Sequence, residues 1–223
     1  MSLPPTGCED VERRVLRDLG RSVLRVGLAV GLALALFVWA AIPNFGPGGG
    51  RLNPNESTAI ATLENIASAQ EQFRRRGSID RDGDGLGEYG WFAELAGGAE
   101  PVLSHAFAAP VDGCVTRSGY RFRLWLPSGN GAWAHAGQAV PSDRDGAEQH
   151  FGVHAWPIDK ATGKRAFFIG ENGDVLATKN TDWLYSGASA PPVDAALPSS
   201  DAGAERGDWG HVGRDGRQWV VVN

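Results

Sequence analysis

Cysteine and positive charge are both scarce in this 223-residue chain. The two cysteines, Cys8 and Cys114, have no partner at metal-ligand spacing, which excludes a disulfide framework and a zinc finger. The 21 Lys and Arg residues are outnumbered by 26 Asp and Glu, for a formal net charge of -5. This balance argues against nucleic-acid binding, because neutralising phosphates requires a basic surface.

Short catalytic motifs are missing as well. The sequence contains no G-x-S-x-G, no P-loop and no H-E-x-x-H, the patterns that indicate hydrolysis, phosphate transfer or zinc catalysis. His150 and His154 are the closest histidine pair, but in an extended segment their side chains would lie roughly 13 Å apart. We therefore expect a protein that is not an enzyme. An enzyme whose active site is assembled from residues far apart in the sequence is the alternative.

One apolar run stands near the N-terminus. Residues 26–42 read VGLAVGLALALFVWAAI, seventeen residues without a charge, which is just long enough to cross a bilayer as a helix. A buried helix of a soluble domain normally shows a polar face, and this run shows none. We predict a single transmembrane helix over residues 23–43, with Arg25 reaching the lipid interface.

The arginines around the run predict its direction. Those before it are Arg13, Arg14, Arg17, Arg21 and Arg25, whereas Arg51 alone follows closely. The positive-inside rule places residues 1–22 in the cytoplasm and the rest of the chain in the periplasm or outside the cell. A cleaved signal peptide is the alternative, because small residues follow the run. The long arginine-bearing segment favours an uncleaved signal anchor in the cytoplasmic (inner) membrane.

The exported part begins with a Gly- and Pro-rich stalk, residues 44–52. Residues 53–223 then suffice for one ordinary domain. A helix is predicted over residues 53–76, with Asn53 as N-cap, Pro54 in the first position, Glu56 completing a capping box and Gly77 after the end. Its apolar stripe requires a sheet to cover it.

Strand patterns follow the helix. Residues 120–126 alternate between apolar and other side chains, and residues 152–156 and 218–222 form two further predicted strands. Residues 165–170 and 175–179 flank an Asn-Gly pair, the strongest short-range signal of a β-hairpin. Residues 186–216 lack periodicity and are predicted to be a long surface loop. The fold class expected is α+β, with one amphipathic helix packed on an antiparallel β-sheet.

Four segments in this order resemble the type IV pilins and the pseudopilins of type II secretion. They are NESTAIATLENIASAQEQFRRRG (residues 55–77), GWFAELAG (90–97), TRSGYRFRLWL (116–126) and GKRAFFIGENGDVLATKN (163–180). The resemblance implies a pilin-like fold and contacts with other envelope or pilin-like proteins. Polymerising members carry a leader ending in Gly, followed by Phe-Thr-Leu-Ile-Glu. This chain has no such motif, so the resemblance implies a pilin-like domain on a fixed anchor.

An acidic loop, DRDGDGLGE, follows the predicted helix. Its alternating oxygen donors would be Asp80, Asp82, Asp84, the Leu86 carbonyl and Glu88, the first five ligand positions of an EF-hand-like loop. The closing glutamate is missing, because Trp91 stands at position 12. We predict a structural Ca²⁺ site here, and a solvated acidic turn is the alternative.

Taken with the anchor, these patterns predict a structural or assembly protein of the cell envelope. The alternative is a membrane-tethered module that binds a glycan or a peptide. The eight tryptophans could supply an aromatic face for such a ligand, although packing in the core explains most of them more simply.

Overall fold

The computed structural model describes residues 53–136, 143–199 and 210–222. These residues belong to one compact unit, Arg51–Asn223. The predicted cytoplasmic segment, transmembrane helix and stalk (residues 1–22, 23–43 and 44–52) lie outside the described residues. No helix within the described ranges is long and apolar enough to cross a membrane.

The long helix begins and ends close to its predicted bounds. It is α1, Pro54–Arg75, and the side chain of Asn53 caps its start by accepting a hydrogen bond from the backbone N–H of Asn55. Gly77 follows the end with a φ of 58°, the left-handed conformation that glycine adopts without strain. Glu56 does not form the predicted capping box. Its buried carboxylate instead accepts hydrogen bonds from the backbone N–H groups of Lys164 and Arg165.

Within the described residues, two further short helices are α2, Phe92–Ala96, and α3, Arg144–Gln149, and one 3-10 turn spans His105–Phe107. The eight strands are β1 (Cys114–Arg117), β2 (Tyr120–Gly129), β3 (Ala132–His135), β4 (Gly152–Pro157), β5 (Ala166–Gly170), β6 (Leu176–Thr178), β7 (Gly210–Val212) and β8 (Gln218–Val221). They form one antiparallel sheet in the order β1-β2-β4-β5-β6-β8-β7, and β3 pairs with β2. The predicted α+β class with an antiparallel sheet is confirmed.

The strands predicted from alternation and from the Asn-Gly pair are all present. β2 faces the core with Tyr120, Phe122, Leu124 and Leu126, which are at most 1% exposed. β5 and β6 pair as a hairpin whose turn contains Gly173 at a φ of 79°. β1, β3, β7 and α3 were not predicted. β3 follows a second Asn-Gly pair, Asn130-Gly131, whose φ values are 52° and 72°, and this pair was the available signal for it.

The first core lies between α1 and one face of the sheet. α1 packs against β4 and β5, and its apolar stripe joins the β2 side chains with those of Val153, Phe167 and Ile169. Gln70 is the one buried amide on this face of α1, and it exchanges hydrogen bonds of 2.8 and 2.9 Å with the backbone of Gly90. This exchange holds α1 to the segment that leads into α2.

The opposite face of the sheet is also covered. A second core contains Trp156, Phe168 and Trp219 from the strands, together with Tyr185, Ala195 and Ala196 from the connection between β6 and β7. The prediction that residues 186–216 form a surface loop is therefore wrong for part of this segment. Ala195 and Ala196 are fully buried, and residues 210–212 form β7.

Candidate divalent cation site

The acidic loop that follows α1 is closed by Glu88. The backbone N–H of Glu88 donates to the carbonyl of Ile79 at 2.9 Å. Its carboxylate is fully buried, accepts a hydrogen bond from the backbone N–H of Arg81 at 2.8 Å, and is ion-paired with the Arg81 guanidinium. The same guanidinium pairs with Glu94, whose other oxygen accepts from the backbone N–H of Trp91 at 2.7 Å. Glu88 therefore holds the two ends of the loop together.

The structure brings together three of the five predicted calcium ligands. Asp80, Asp82 and Asp84 each place a carboxylate oxygen within 4.8 Å of the others, and all three side chains are exposed. Glu88 does not join them, because its carboxylate is engaged with Arg81. Leu86 is 57% exposed, and its backbone N–H donates to Asp84 at 2.8 Å.

The loop bends around the carboxylate of Asp80. One Asp80 oxygen accepts from the N–H of Gly83 at 2.7 Å, and the other accepts from the N–H of Gly85 at 3.0 Å. Both glycines have positive φ, 78° and 94°, which explains why the turn requires them. These hydrogen bonds, first of all the one from Gly83, lower the pKa of Asp80. Desolvation and the neighbouring carboxylates of Asp84 and Asp80 raise the pKa of Asp82.

A second acidic segment reaches the loop from α3. The backbone N–H of Tyr89 donates to the carbonyl of Ala147 at 2.9 Å, so the end of the loop is attached directly to α3. Asp143 caps this helix by accepting from the N–H of Gly146 at 2.9 Å. As a result, Asp145 and Glu148 place carboxylate oxygens within 4.8 Å of each other and of Asp82.

Glu148 is the least solvated member of this second group. It is 7% exposed, and its buried Oε1 has no hydrogen-bond partner among the described residues. Burial, followed by the charges of Asp84, Asp82, Asp145 and Glu88, raises the pKa of Glu148. Among the described residues the nearby arginines are ion-paired with other carboxylates: Arg81 pairs with Glu88 and Glu94, and the guanidinium of Arg144 lies 3.9 Å from Glu88.

Sequence reasoning missed both acidic residues that α3 contributes to the cluster. Asp145 and Glu148 lie far along the chain from the loop, in a helix of six residues, and no spacing rule connects the two segments. The available signal was a capped acidic turn, DRDGAEQ at residues 143–149. The assembled cluster offers carboxylate oxygens alone, a donor set that suits hard cations such as Ca²⁺.

Among the described residues, no group of three or more converging metal-ligand atoms includes a histidine. His150 is exposed, and its Nδ1 lies 2.9 Å from Glu171, whereas His154 is fully buried. His211 contacts the carbonyl of Ala196 at 2.6 Å, and His135 contacts that of Ala136 at 2.9 Å. Within the described ranges, both groups of converging metal-ligand atoms consist of carboxylates.

Most of the described tryptophans on the sheet belong to the core. Trp156 and Trp219 are fully buried, and Trp125 is 8% exposed. The indole N–H groups of Trp156 and Trp219 donate to the carbonyl of Gly187 at 3.0 Å and to Asp215 at 3.2 Å. These rings therefore fasten the second core and offer no open aromatic face.

We compared the chain with models of protein families, with curated proteins and with solved structures, and found no match.

Proposed function

We propose that this chain is a membrane-anchored, exported, pilin-like structural or assembly protein of the cell envelope. Its N-terminus would lie in the cytoplasm and its globular domain in the periplasm or outside the cell. The observation that carries this proposal is the packing of α1, the first element after the stalk, along β4 and β5 of an antiparallel sheet.

The segments that resemble pilins and pseudopilins fall on the elements that build this arrangement. Residues 55–77 contain nearly all of α1, residues 90–97 contain α2, residues 116–126 contain half of β1 and much of β2, and residues 163–180 contain the hairpin of β5 and β6. A helix laid across an antiparallel sheet is the architecture that the resemblance implies. The resemblance and the described domain therefore support the same proposal.

The alternative, a tethered module for a glycan or a peptide, has weaker support. An aromatic binding face requires rings that a ligand can reach. Of the six tryptophans in the described residues, Trp125, Trp156 and Trp219 are buried, and Trp91, Trp133 and Trp183 are half-buried. We therefore rank protein contacts within an envelope assembly above ligand binding.

Cross-linking in the membrane tests the proposal. The full-length chain would be cross-linked in membranes of the cells that produce it, solubilised, isolated and identified by mass spectrometry with its partners. We expect an intact N-terminus, recovery in the inner-membrane fraction, and specific cross-links to other membrane-anchored envelope or pilin-like proteins. A chain that is recovered only as a monomer, and that binds a glycan or peptide array, would instead support the tethered module.

A matched pair of variants tests whether the apolar run anchors the chain in the membrane. Leu32→Arg with Leu34→Arg places two charges in the middle of the apolar run, each costing about 3 kcal/mol of membrane insertion. We expect this variant to leave the membrane fraction and to lose its cross-links. Leu32→Ala with Leu34→Ala keeps the run uncharged and should retain both. Equal behaviour of the two variants would contradict the anchor.

A further inference from the structure

We propose that α3 completes the acidic loop as a Ca²⁺ site, in which Asp82, Asp145 and Glu148 bind one ion together with Asp80 and Asp84. The predicted ligands Leu86 and Glu88 have no part in this site. Its function is to fasten the loop after α1 to α3, two segments far apart in the chain.

Asp82 belongs to both acidic groups, the one in the loop and the one that includes α3. Its carboxylate lies within 4.8 Å of those of Asp80 and Asp84 in the loop, and within 4.8 Å of those of Asp145 and Glu148 in α3. Carboxylate oxygens at this separation can share one Ca²⁺, whose bonds to oxygen measure about 2.3–2.6 Å. The hydrogen bond between Tyr89 and Ala147 fixes the two segments at this separation from outside the cluster.

The burial of the Glu148 carboxylate is the observation that points to a bound cation. An ionised carboxylate taken out of water needs hydrogen bonds or a counter-charge. The Oε1 atom of Glu148 is buried and has no hydrogen-bond partner among the described residues. A carboxylate oxygen of Glu148 also lies within 4.8 Å of carboxylate oxygens of Asp82 and Asp145, which carry the same charge. A divalent cation held between these carboxylates would give the buried Glu148 carboxylate a counter-charge and remove the repulsion.

The donor set favours Ca²⁺ over other metals. The cluster supplies oxygen atoms, whereas zinc and the later transition metals prefer nitrogen and sulfur ligands. Mg²⁺ requires near-ideal octahedral geometry and gives up its water reluctantly, while Ca²⁺ accepts six to eight oxygens in irregular arrangements. The exposed loop of Asp80, Asp82 and Asp84 leaves room for water ligands beside the carboxylates.

The test is a titration of the full-length protein in detergent micelles, by calorimetry and by thermal unfolding, with CaCl₂, with MgCl₂ or with chelator. We expect millimolar Ca²⁺ to raise Tm more than Mg²⁺ does. Glu148→Gln should weaken Ca²⁺ binding by about tenfold or more, the loss seen even for outer-shell partners of metal sites. In chelator the same variant should have a higher Tm than the wild type, because a buried and repelled charge is gone.

Three further variants separate binding from folding. Asp145→Asn alters an exposed ligand and should weaken Ca²⁺ binding without lowering Tm in chelator. Glu88→Gln removes the charge that holds Arg81 and helps to close the loop, so it should lower Tm both with Ca²⁺ and with chelator. Glu64→Gln, on the exposed face of α1, is the control and should match the wild type. The proposal is overturned if Ca²⁺ leaves Tm unchanged, or if Glu148→Gln and Asp145→Asn bind Ca²⁺ as tightly as the wild type.

Discussion

His154 is a fully buried histidine in the middle of β4, with no hydrogen-bond partner for either ring nitrogen among the described residues. Its ring packs 4.8 Å from the ring of Phe168 and 6.3 Å from that of Trp219, between centroids. Burial, with a smaller contribution from the positive charge of Arg123, lowers the pKa of His154 to about 3. The folded protein therefore keeps this imidazole neutral in conditions where the unfolded chain protonates it.

This difference predicts a loss of stability in acid. Below the unfolded pKa of about 6.5, the unfolded chain binds a proton that the folded protein does not, so the free energy of unfolding falls as the pH falls towards 3. The contribution of His154 should drop by roughly 1.6 kcal/mol between about pH 6.5 and about pH 5. The variant His154→Leu lacks the group and should show a flatter profile over this interval.

Urea unfolding of the full-length wild type and of the variant, at several pH values, measures the difference directly. The carboxylates titrate in both proteins, so their contribution cancels in the comparison. His105→Gln changes an exposed histidine and serves as the control. Parallel profiles for the wild type and His154→Leu would show that the buried imidazole does not govern this loss.

At the scale of elements, a single carboxylate connects the start of α1 to the entrance of β5. Glu56 is 4% exposed, and its Oε1 accepts from the backbone N–H groups of Lys164 and Arg165 at 3.0 and 3.1 Å. Glu56→Ala removes the acceptor of both donors, which should lower the free energy of unfolding by about 2–4 kcal/mol. Chemical denaturation of the full-length protein measures this change.

Glu64→Ala is the matched control, because it makes the same substitution on the exposed side of the same helix. It should change the free energy of unfolding by less than about 0.5 kcal/mol. If the two variants were equally stable, the hydrogen bonds of Glu56 would contribute nothing to the free energy of unfolding.

Glu56 also shows why local patterns predicted some features and misassigned others. The Asn53 cap, the β2 alternation and the hairpin at Gly173 depend on residues adjacent in the chain, and all three were predicted. The position of Glu56 three residues after the cap matched a capping box, but its partners lie more than a hundred residues further on. A tertiary hydrogen bond took the place of the local one, and the sequence pattern cannot distinguish the two.

The cation site follows the same division between local and distant contacts. Asp80, Asp82 and Asp84 were predicted together because one short loop contains them. Glu88 was grouped with them by spacing, although Arg81 binds its carboxylate in the folded chain. Asp145 and Glu148 are brought to the loop by tertiary contacts of α3, among them the hydrogen bond from Tyr89 to Ala147. A contact between segments this far apart in the chain can be identified only from the folded structure.

At the scale of the whole molecule, the two cysteines provide a test of the proposed membrane anchor. Cys8 precedes the apolar run, whereas Cys114 begins β1 at 7% exposure, with the Arg123 Nε donating to its Sγ at 3.3 Å. If residues 23–43 cross the membrane, the two thiols lie on opposite sides of it. We therefore predict that they do not form a disulfide with each other, even in a host whose periplasm is oxidising.

Counting free thiols tests this prediction. The full-length protein, produced in bacterial membranes, would be unfolded in detergent without reductant and treated with a maleimide that adds measurable mass. Both thiols of the wild type should react, and Cys8→Ser and Cys114→Ser should each leave one. A fast-migrating species that reductant removes, and that either serine variant lacks, would reveal a bond between Cys8 and Cys114. Such a bond would place both ends of the apolar run in one compartment, which a chain that crosses the membrane once cannot do.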